Sequence, residues 1–246
     1  MAQQLVIDIG NTSAKVFFFE GDKLLEGFRV AHDDLCLLLL EQTRTRSIQA
    51  AILSSVIPLS ESMEDCVSNI PCPCLRMSAQ LRLPFEIFYK TPQTLGPDRL
   101  AAVAGAWLQK PYENLLIIDA GTAITYDFIT AQGAYLGGNI SPGIDMRFNA
   151  LHQFTGRLPL VDKEGERVVI GDATETALRE GVLQGVCYEI EGYVRAYMDK
   201  YSQLFIFLTG GDAFLLENQA KNRIFADSLL VAKGLNHILM LNNETN

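Results

Sequence analysis

The feature that most constrains the fold is a short motif that occurs twice, about half the chain apart. An apolar run ending in Asp-x-Gly occupies residues 5–10 (LVIDIG) and again residues 116–121 (LIIDAG), and the two aspartates are 119 − 8 = 111 positions apart in a chain of 246 residues. Each copy has a threonine within two residues of its glycine and leads into a second apolar run. This repeat predicts two related halves, residues 1–110 and 111–246, each opening with a β-hairpin.

The rest of the pattern alternates between strand-like and helix-like segments. Strands are predicted at 5–9, 15–20, 24–30, 50–57, 115–118, 124–129 and 204–208, and helices at 33–43, 60–67, 100–109, 144–154, 174–201 and 228–241. Residues 133–143 are rich in glycine and are interpreted as a turn region. Hydrophobic residues make up 48% of the chain, which is enough for a packed core. The alternation of strands and helices makes α/β the predicted fold class.

The first Asp-x-Gly hairpin is suited to binding a phosphate chain. Gly10 allows close approach of the backbone, whose N–H groups can face an anion, and Lys15 can supply a point charge. Asp8 would repel phosphate, so its role there requires a shared cation or water. A plain β-hairpin is the alternative for one copy alone. The second copy and the Gly-Gly turn at 209–212 (TGGD) favour the phosphate interpretation.

Other nucleotide and metal motifs are absent from the sequence. It contains no G-x-x-x-x-G-K-[ST], no G-x-G-x-x-G after a strand and no H-E-x-x-H, and its three histidines are far apart. The net charge of -9 makes nucleic acid a poor candidate for a partner. No apolar stretch reaches the roughly 18–20 residues of a membrane helix, so no membrane contact is expected.

The cellular compartment is predicted from the cysteines and the first residues. Five cysteines at irregular spacing are typical of reduced thiols rather than of a disulfide framework. The N-terminal residues lack a basic segment and reach Asp8 early, unlike a signal peptide. These features predict a cytoplasmic protein.

Four motifs in order carry a resemblance to a known family. They are DIGNT at 8–12, GPDR at 96–99, DAGT at 119–122 and TGGD at 209–212, with GGNISPG at 137–143 between the last two. Together they resemble type III pantothenate kinase, of the acetate/sugar kinase–Hsp70–actin superfamily, over essentially the whole chain. The resemblance implies two ribonuclease-H-like, actin-like ATPase halves with mixed sheets flanking a nucleotide cleft. It also implies ATP-dependent phosphorylation of pantothenate to 4'-phosphopantothenate, the first step of coenzyme A biosynthesis.

The resemblance also assigns roles to individual residues. It places the ATP phosphates on Asp8, Ile9, Gly10, Asn11, Thr12, Ser13, Ala14 and Lys15, with a further ATP contact at Thr122. It makes Asp98 the catalytic base and assigns pantothenate binding to Tyr89, Gly96, Pro97, Asp98, Arg99 and Thr174. Asp119 matches the ligand of a monovalent cation, K⁺ or NH₄⁺, and Mg²⁺ accompanies ATP. The family often has Asn-Thr where this chain has Ala173-Thr174.

A homodimer is the implied assembly, in which Thr174 reaches the pantothenate site of the partner subunit. The predicted helix at 174–201 carries an apolar stripe that could pack against a second copy, formed by Ala177, Val182, Val186, Ile190 and Val194.

Several alternatives stay open at the level of sequence. Asp98-Arg99 also fits an acidic helix start with a surface salt bridge, and Tyr89 also fits a packed strand residue. The function could instead be that of a superfamily kinase with another small hydroxyl or carboxylate acceptor, or of a non-catalytic regulatory protein. Retention of Asp8, Asp98, Arg99 and Asp119 together favours an enzyme.

Overall fold

The computed structural model describes residues 3–213 and 224–243. These residues form two compact units, one with residues 3–112, 132–136 and 229–243 and the other with residues 113–131, 137–213 and 224–228. The division into halves at residues 1–110 and 111–246 remains a prediction, because compactness alone does not define a folding domain.

The first unit is built on a five-stranded mixed sheet with strand order β3-β2-β1-β4-β5. Its strands are β1 (Gln3–Ile9), β2 (Ala14–Glu20), β3 (Lys23–Val30), β4 (Ile48–Ser55) and β5 (Cys74–Arg76). β1 runs antiparallel to β2 and parallel to β4. One face carries a core that includes Leu5, Ile7 and Ile9 of β1, and Leu35 and Leu39 of a helix. Strand alternation directs Val6 and Asp8 to the opposite face.

Within residues 3–112, the first unit also contains five helical segments and one two-residue strand. They are a 3₁₀ turn (His32–Asp34), α1 (Leu35–Thr45), α2 (Glu61–Ser68), β6 (Glu86–Ile87), a second 3₁₀ turn (Pro92–Thr94) and α3 (Pro97–Gln109). The final helix, which we label α6 (Leu230–Asn243), packs on α3 and contacts β1 and β4. A Cβ atom on Gly105 would lie 2.1 Å from the Leu230 carbonyl oxygen, so glycine permits close contact of these two helices.

The second unit is built on a mixed sheet with strand order β11-β10-β7-β8-β9. Its strands are β7 (Asn114–Ala120), β8 (Ala123–Ile129), β9 (Ala134–Pro142), β10 (Leu204–Thr209) and β11 (Ile224–Ala226), and its helices are α4 (Ile144–Gln153) and α5 (Thr174–Lys200). β7 runs antiparallel to β8 and parallel to β10. The first residues of β9, Ala134 and Tyr135, belong to the first unit and pair there with β6.

The α/β fold class with mixed sheets is confirmed, and most predicted elements form near their predicted bounds. The interpretation of residues 133–143 as a turn region is wrong, since residues 134–142 form the strand β9. A Cβ atom on Gly138 would lie 1.5 Å from the Tyr126 carbonyl oxygen. Glycine is therefore needed there for the close approach of β8, and not for a turn.

The apolar stripe of α5 has a different partner from the predicted one. Val182, Val186 and Ile190 are buried in the core of their own unit, together with strand residues such as Leu116 and Ile206. The stripe is therefore not available to pack against a second copy. No helix in the described part of the chain combines the length and the apolar character that crossing a bilayer requires.

Candidate active site

The first Asp-x-Gly motif forms the predicted hairpin between β1 and β2. Asp8 pairs with Lys15 and Ile9 with Ala14, and the Gly10 N–H donates to the Ser13 carbonyl oxygen at 3.1 Å. Ile9 and Ala14 are fully buried and hold the hairpin on the core. The residues at the tip of the turn, Asn11 and Thr12, are exposed, so the turn presents its polar groups to solvent.

Asp8 has an unusual electrostatic environment. Its pKa is raised to about 6, first because burial disfavours the charged form, while Lys15 lowers it, the neighbouring carboxylate of Asp98 raises it, and the Ser54 hydroxyl lowers it. Ser54 stands opposite Asp8 in the register of β4 and β1. A carboxylate with a raised pKa gains most from a nearby cation, which suits the cation-mediated role predicted for Asp8.

Asp98 lies in the first turn of α3, beside Gly96 and Pro97. Its Oδ1 atom accepts the Arg99 N–H at 2.9 Å, and a Cβ atom on Gly96 would lie only 2.5 Å from that oxygen. Glycine at position 96 therefore leaves the room that this carboxylate occupies. Pro97 opens the helix with a φ that suits its first position.

Arg99 and Tyr89 extend this group of residues. The Arg99 side chain is only 6% exposed, which does not suit the surface salt bridge of the alternative interpretation. Its Cζ atom lies 5.9 Å from the centroid of the Tyr89 ring, at the outer limit of a cation–π contact. Asp98 acts electrostatically on Asp8, so the first unit brings together the hairpin, the Gly96–Arg99 segment and Tyr89.

The second Asp-x-Gly motif forms a matching hairpin between β7 and β8. The Gly121 N–H donates to the Ala123 carbonyl oxygen at 3.1 Å, and Thr122 at the tip is exposed. The Gly143 N–H donates to the Thr122 carbonyl oxygen at 3.1 Å. A Cβ atom on Gly143 would lie 2.2 Å from the Gly121 carbonyl oxygen, so the turn that precedes α4 packs directly on this hairpin.

Asp119 is enclosed by the Gly-Gly turn that follows β10. Gly210 has a φ of 100°, and a Cβ atom on it would lie 2.5 Å from the Asp119 Oδ1 atom. The next turn residue, Asp212, donates its N–H to the Ala120 carbonyl oxygen at 3.0 Å. That Cβ atom would also lie 2.3 Å from the Ala120 carbonyl oxygen, so one carboxylate oxygen and one backbone oxygen border the space that a side chain at position 210 would fill. Oxygen ligands of this kind fit a hard cation.

Thr174 is the first residue of α5 and is exposed. The residue before it, Ala173, lacks a capping side chain, and its N–H donates instead to the Thr176 Oγ1 atom at 3.0 Å. Thr174 belongs to the second unit, whereas the other residues predicted to bind pantothenate belong to the first.

Sequence reasoning missed several polar residues around the two hairpins. In the first unit, Arg29 and His32 contact the turn of the first hairpin, and Ser54 stands beside Asp8. In the second unit, Lys163 bridges Asp212 and Asp145, with Nζ–Oδ distances of 2.8 and 3.4 Å. The sequence could have indicated Ser54, which is a polar residue at the end of a buried strand. It could not have indicated Arg29, because only strand pairing brings that residue to the hairpin.

The carboxylates fit the cations that the family implies. Within residues 3–213 and 224–243, no three His, Cys, Asp or Glu side chains form a cluster able to hold a metal ion. Mg²⁺ does not need such a cluster, because it is usually bound through one or two carboxylates, several waters and the phosphates of the substrate. Asp8 places one carboxylate at the first hairpin and Asp119 places one at the second, so each could contribute one oxygen ligand.

The fold of this chain, an α/β fold with an Asp-x-Gly hairpin in each of its two mixed sheets, is shared with proteins of known structure. A conserved Baf family transcriptional activator from Campylobacter jejuni superposes with a TM-score of 0.64 at 24% identity, over 98% of this chain and 99% of that one. The activator of the 2-hydroxyisocaproyl-CoA dehydratase from Clostridium difficile, with bound ADPNP, superposes with a TM-score of 0.57 at 12% identity, over 99% and 96%. At these identities the similarity shows the fold alone.

Sequence comparison gives the family within this class. The model of the family described as type III pantothenate kinase matches residues 4–196. A type III pantothenate kinase from Bacteroides fragilis (strain YCH46) is 48% identical over 241 residues, which cover 97% of this chain and 98% of that protein. The chain belongs to the type III pantothenate kinase family, and it is therefore a kinase with the fold predicted from its motifs.

Proposed function

We propose that this chain transfers the γ-phosphoryl group of ATP to the primary hydroxyl of pantothenate. The products are 4'-phosphopantothenate and ADP, and the reaction is the first step of coenzyme A biosynthesis. The observation that best supports this proposal is the position of Asp98 in the first turn of α3, where its charge acts on Asp8, because a carboxylate suited to a general base then lies near the hairpin suited to phosphate. Family membership supplies the acceptor.

Each residue of the first unit has a separate role in this proposal. The hairpin from Asp8 to Lys15 binds the ATP phosphates through its backbone N–H groups and the Lys15 ammonium group. Tyr89 and the segment from Gly96 to Arg99 bind pantothenate, with Arg99 as a cation at this site. Asp98 accepts the proton of the hydroxyl as its oxygen attacks phosphorus.

The second unit supplies Thr122 as a further ATP contact and Asp119 as the ligand of K⁺ or NH₄⁺. Asp8 would help to hold the Mg²⁺ that accompanies ATP, and the ion would supply positive charge to the phosphoryl oxygens. The constriction around Asp119 by Gly210 supports the cation assignment.

A homodimer is part of the proposal, and exposed apolar side chains support it. Phe154, Val169 and Ile170 are 85%, 97% and 82% exposed, and all three lie in the segment between α4 and α5 that leads to Thr174. A second copy would remove this apolar surface from water. We further propose a cytoplasmic enzyme that needs no nucleic acid or membrane partner, which accords with five cysteines that are all free thiols.

The decisive experiment is ADP release by the purified protein in K⁺ and Mg²⁺ with a panel of acceptors. Pantothenate should raise ADP release far above the rate without acceptor, whereas glucose and acetate should not. Mass spectrometry of the product should show one added phosphoryl group. Turnover of glucose or acetate in preference to pantothenate would identify a different kinase. ATP binding without turnover of any acceptor would favour a regulatory protein.

A further inference from the structure

A row of four polar residues crosses the sheet of the first unit at the phosphate hairpin. The strand registers place Ser54 opposite Asp8, Asp8 opposite Lys15, and Lys15 opposite Arg29. Residues that are paired directly across strands project from the same face of a sheet. Arg29 therefore stands next to Lys15 on the face that carries Asp8.

The burial of the neighbouring residues agrees with this assignment of faces. The residues that flank the row along the strands, Ile7, Val16 and Phe28, pack in the core on the other face. Arg29 itself is exposed, so its guanidinium group is accessible from solvent. A polyphosphate that approaches Lys15 would thus meet Arg29 on the same side of the sheet.

Arg29 already contacts the turn of the hairpin. Its Nε atom donates to the Ser13 Oγ atom at 2.9 Å, which directs the guanidinium group toward the residues proposed to bind phosphate. A guanidinium group has five N–H donors in a planar fork. In the part of the chain that the structure describes, Arg29 forms no salt bridge, so its two terminal nitrogens are not committed to a carboxylate.

The position of Arg29 is unfavourable in the protein without a ligand. Like charges directly opposite each other on antiparallel strands destabilise the pair, and Lys15 and Arg29 are such a pair. The chain contains 29 acidic residues and 20 basic ones, so an acidic side chain opposite Arg29 would be easy to provide in place of Lys15. Two adjacent cations beside a phosphate turn are best explained by a multiply charged anion that binds both.

We propose that Arg29 is a second cationic ligand of the ATP phosphates, acting beside Lys15. Its contact with Ser13 orients the guanidinium group before the nucleotide arrives, and its terminal nitrogens then donate to phosphate oxygens in the bidentate geometry that arginine favours. The inference rests on the proposed function insofar as it takes the first hairpin as the ATP site. It adds a specificity determinant for the polyphosphate chain.

The test compares Arg29→Gln and Arg29→Lys with Lys23→Gln. Lys23 is a matched control because it is an exposed cation on the same strand, opposite Glu20 and away from the hairpin turn. Affinities for Mg-ATP and for AMP are measured by isothermal titration calorimetry without pantothenate. Melting temperatures are measured without nucleotide.

Arg29→Gln should weaken ATP binding about 10- to 100-fold, as expected for loss of charge-assisted hydrogen bonds. Arg29→Lys should bind with intermediate affinity, because it keeps the charge without the fork. Lys23→Gln should stay within about twofold of wild type, as should AMP binding by Arg29→Gln. The melting temperature of nucleotide-free Arg29→Gln should not fall, because a like-charge contact has been removed.

Two results would overturn the inference. One is an unchanged affinity of Arg29→Gln for ATP. The other is a lower melting temperature with equal losses for ATP and AMP, which would make Arg29 only a structural brace of the hairpin. If wild type binds ATP but does not phosphorylate pantothenate, the proposed function fails and the comparison of affinities still decides the role of Arg29. If wild type binds no ATP, both are wrong.

Discussion

Burial raises the pKa of Asp8 and the carboxylate of Asp98 raises it further, although Asp98 lies at the start of a helix and Asp8 near the end of a strand. Two carboxylates close enough to repel each other are unfavourable for folding alone. A cation or a proton between them would relieve the repulsion, and the proposed phosphoryl transfer to an alcohol would supply both. The pair therefore connects a local electrostatic cost to the proposed reaction.

Asp98→Asn should abolish most of the turnover and leave the fold intact. The amide keeps the size of the carboxylate but cannot accept the proton of the hydroxyl, so kcat should fall about 10²–10⁴-fold, or roughly 3–5 kcal/mol of barrier. The melting temperature should change little, and ATP binding should persist. Steady-state kinetics, differential scanning calorimetry and titration calorimetry measure the three quantities.

The matched control for Asp98→Asn is Glu61→Gln, which removes an exposed acidic residue from the first turn of another helix, α2. If Asp98 were only a helix-start acid, both variants would lose up to about 1 kcal/mol of stability and keep their turnover. If Asp98→Asn keeps more than about a tenth of wild-type kcat, Asp98 is not the general base. The loss would then be less than about tenfold, which is below the usual loss on removal of a general base. Asp8 and Asp119 would then be the next candidates.

Asp8→Asn should stabilise the nucleotide-free protein at neutral pH. The folded-state pKa of Asp8 is about 6, above its ordinary value of 3.8, so between these values the folded protein binds more protons than the unfolded chain. The contribution of Asp8 to stability is therefore lost as pH rises from about 4 to about 6. Above that window the charged form costs about 1–3 kcal/mol, which the amide removes.

Urea denaturation in the presence of EDTA, at pH 3.5 and at pH 7.5, measures the free energy of unfolding of Asp8→Asn and of wild type. Asp8→Asn should be more stable than wild type at pH 7.5 and nearly equal to it at pH 3.5, while its affinity for Mg-ATP should be lower at neutral pH. Asp22→Asn, at an exposed position in the turn between β2 and β3, should change little at either pH. A loss of stability of Asp8→Asn at pH 7.5 would contradict the prediction.

Ile170→Asp should shift the protein toward monomers. Ile170 is exposed in the segment before α5, and a carboxylate in a buried subunit interface lacks the solvation it has in water. Light scattering coupled to size exclusion at micromolar concentration measures the mass. Leu37→Asp is the control, because Leu37 is an exposed apolar residue on α1 in the other unit. A wild-type monomer with full activity would refute the homodimer.

The parts of the site that sequence predicts are those fixed by local chemistry. The Asp-x-Gly turns at Gly10 and Gly121 occur where expected, because strand termination and turn residues are encoded within a few positions. The strand at Gly138 was missed, because that glycine is required by contact with another strand and not by its own backbone conformation. Arg29 and Ser54 likewise join the site through strand register, which depends on how distant segments pair.

Asp119→Asn should remove the dependence of activity on K⁺ or NH₄⁺. The wild-type enzyme should be nearly inactive when a bulky organic cation such as tetramethylammonium replaces K⁺, because such a cation does not fit the space between Asp119 and Gly210. The amide keeps the shape but lowers the attraction for a cation, so activity should fall and its residual level should no longer rise with K⁺. Full wild-type activity in tetramethylammonium alone would show that no small monovalent cation is needed.

The two adjacent glycines after β10 provide a test of that cation site that leaves Asp119 in place. Gly210 has a φ of 100°, and the Cβ atom of an alanine there would lie 2.5 Å from Asp119 Oδ1. Gly210→Ala must therefore strain the backbone and displace the carboxylate. We expect a loss of about 1–3 kcal/mol in unfolding free energy and a weaker response to K⁺. At Gly211, none of the described residues apart from its chain neighbours has an atom within 4 Å of the corresponding position, so Gly211→Ala should keep both stability and K⁺ activation near wild type. Potassium titrations of ADP release, together with urea denaturation, compare the two variants. If Gly210→Ala responds to K⁺ with wild-type affinity despite lower stability, the cation binds away from Asp119.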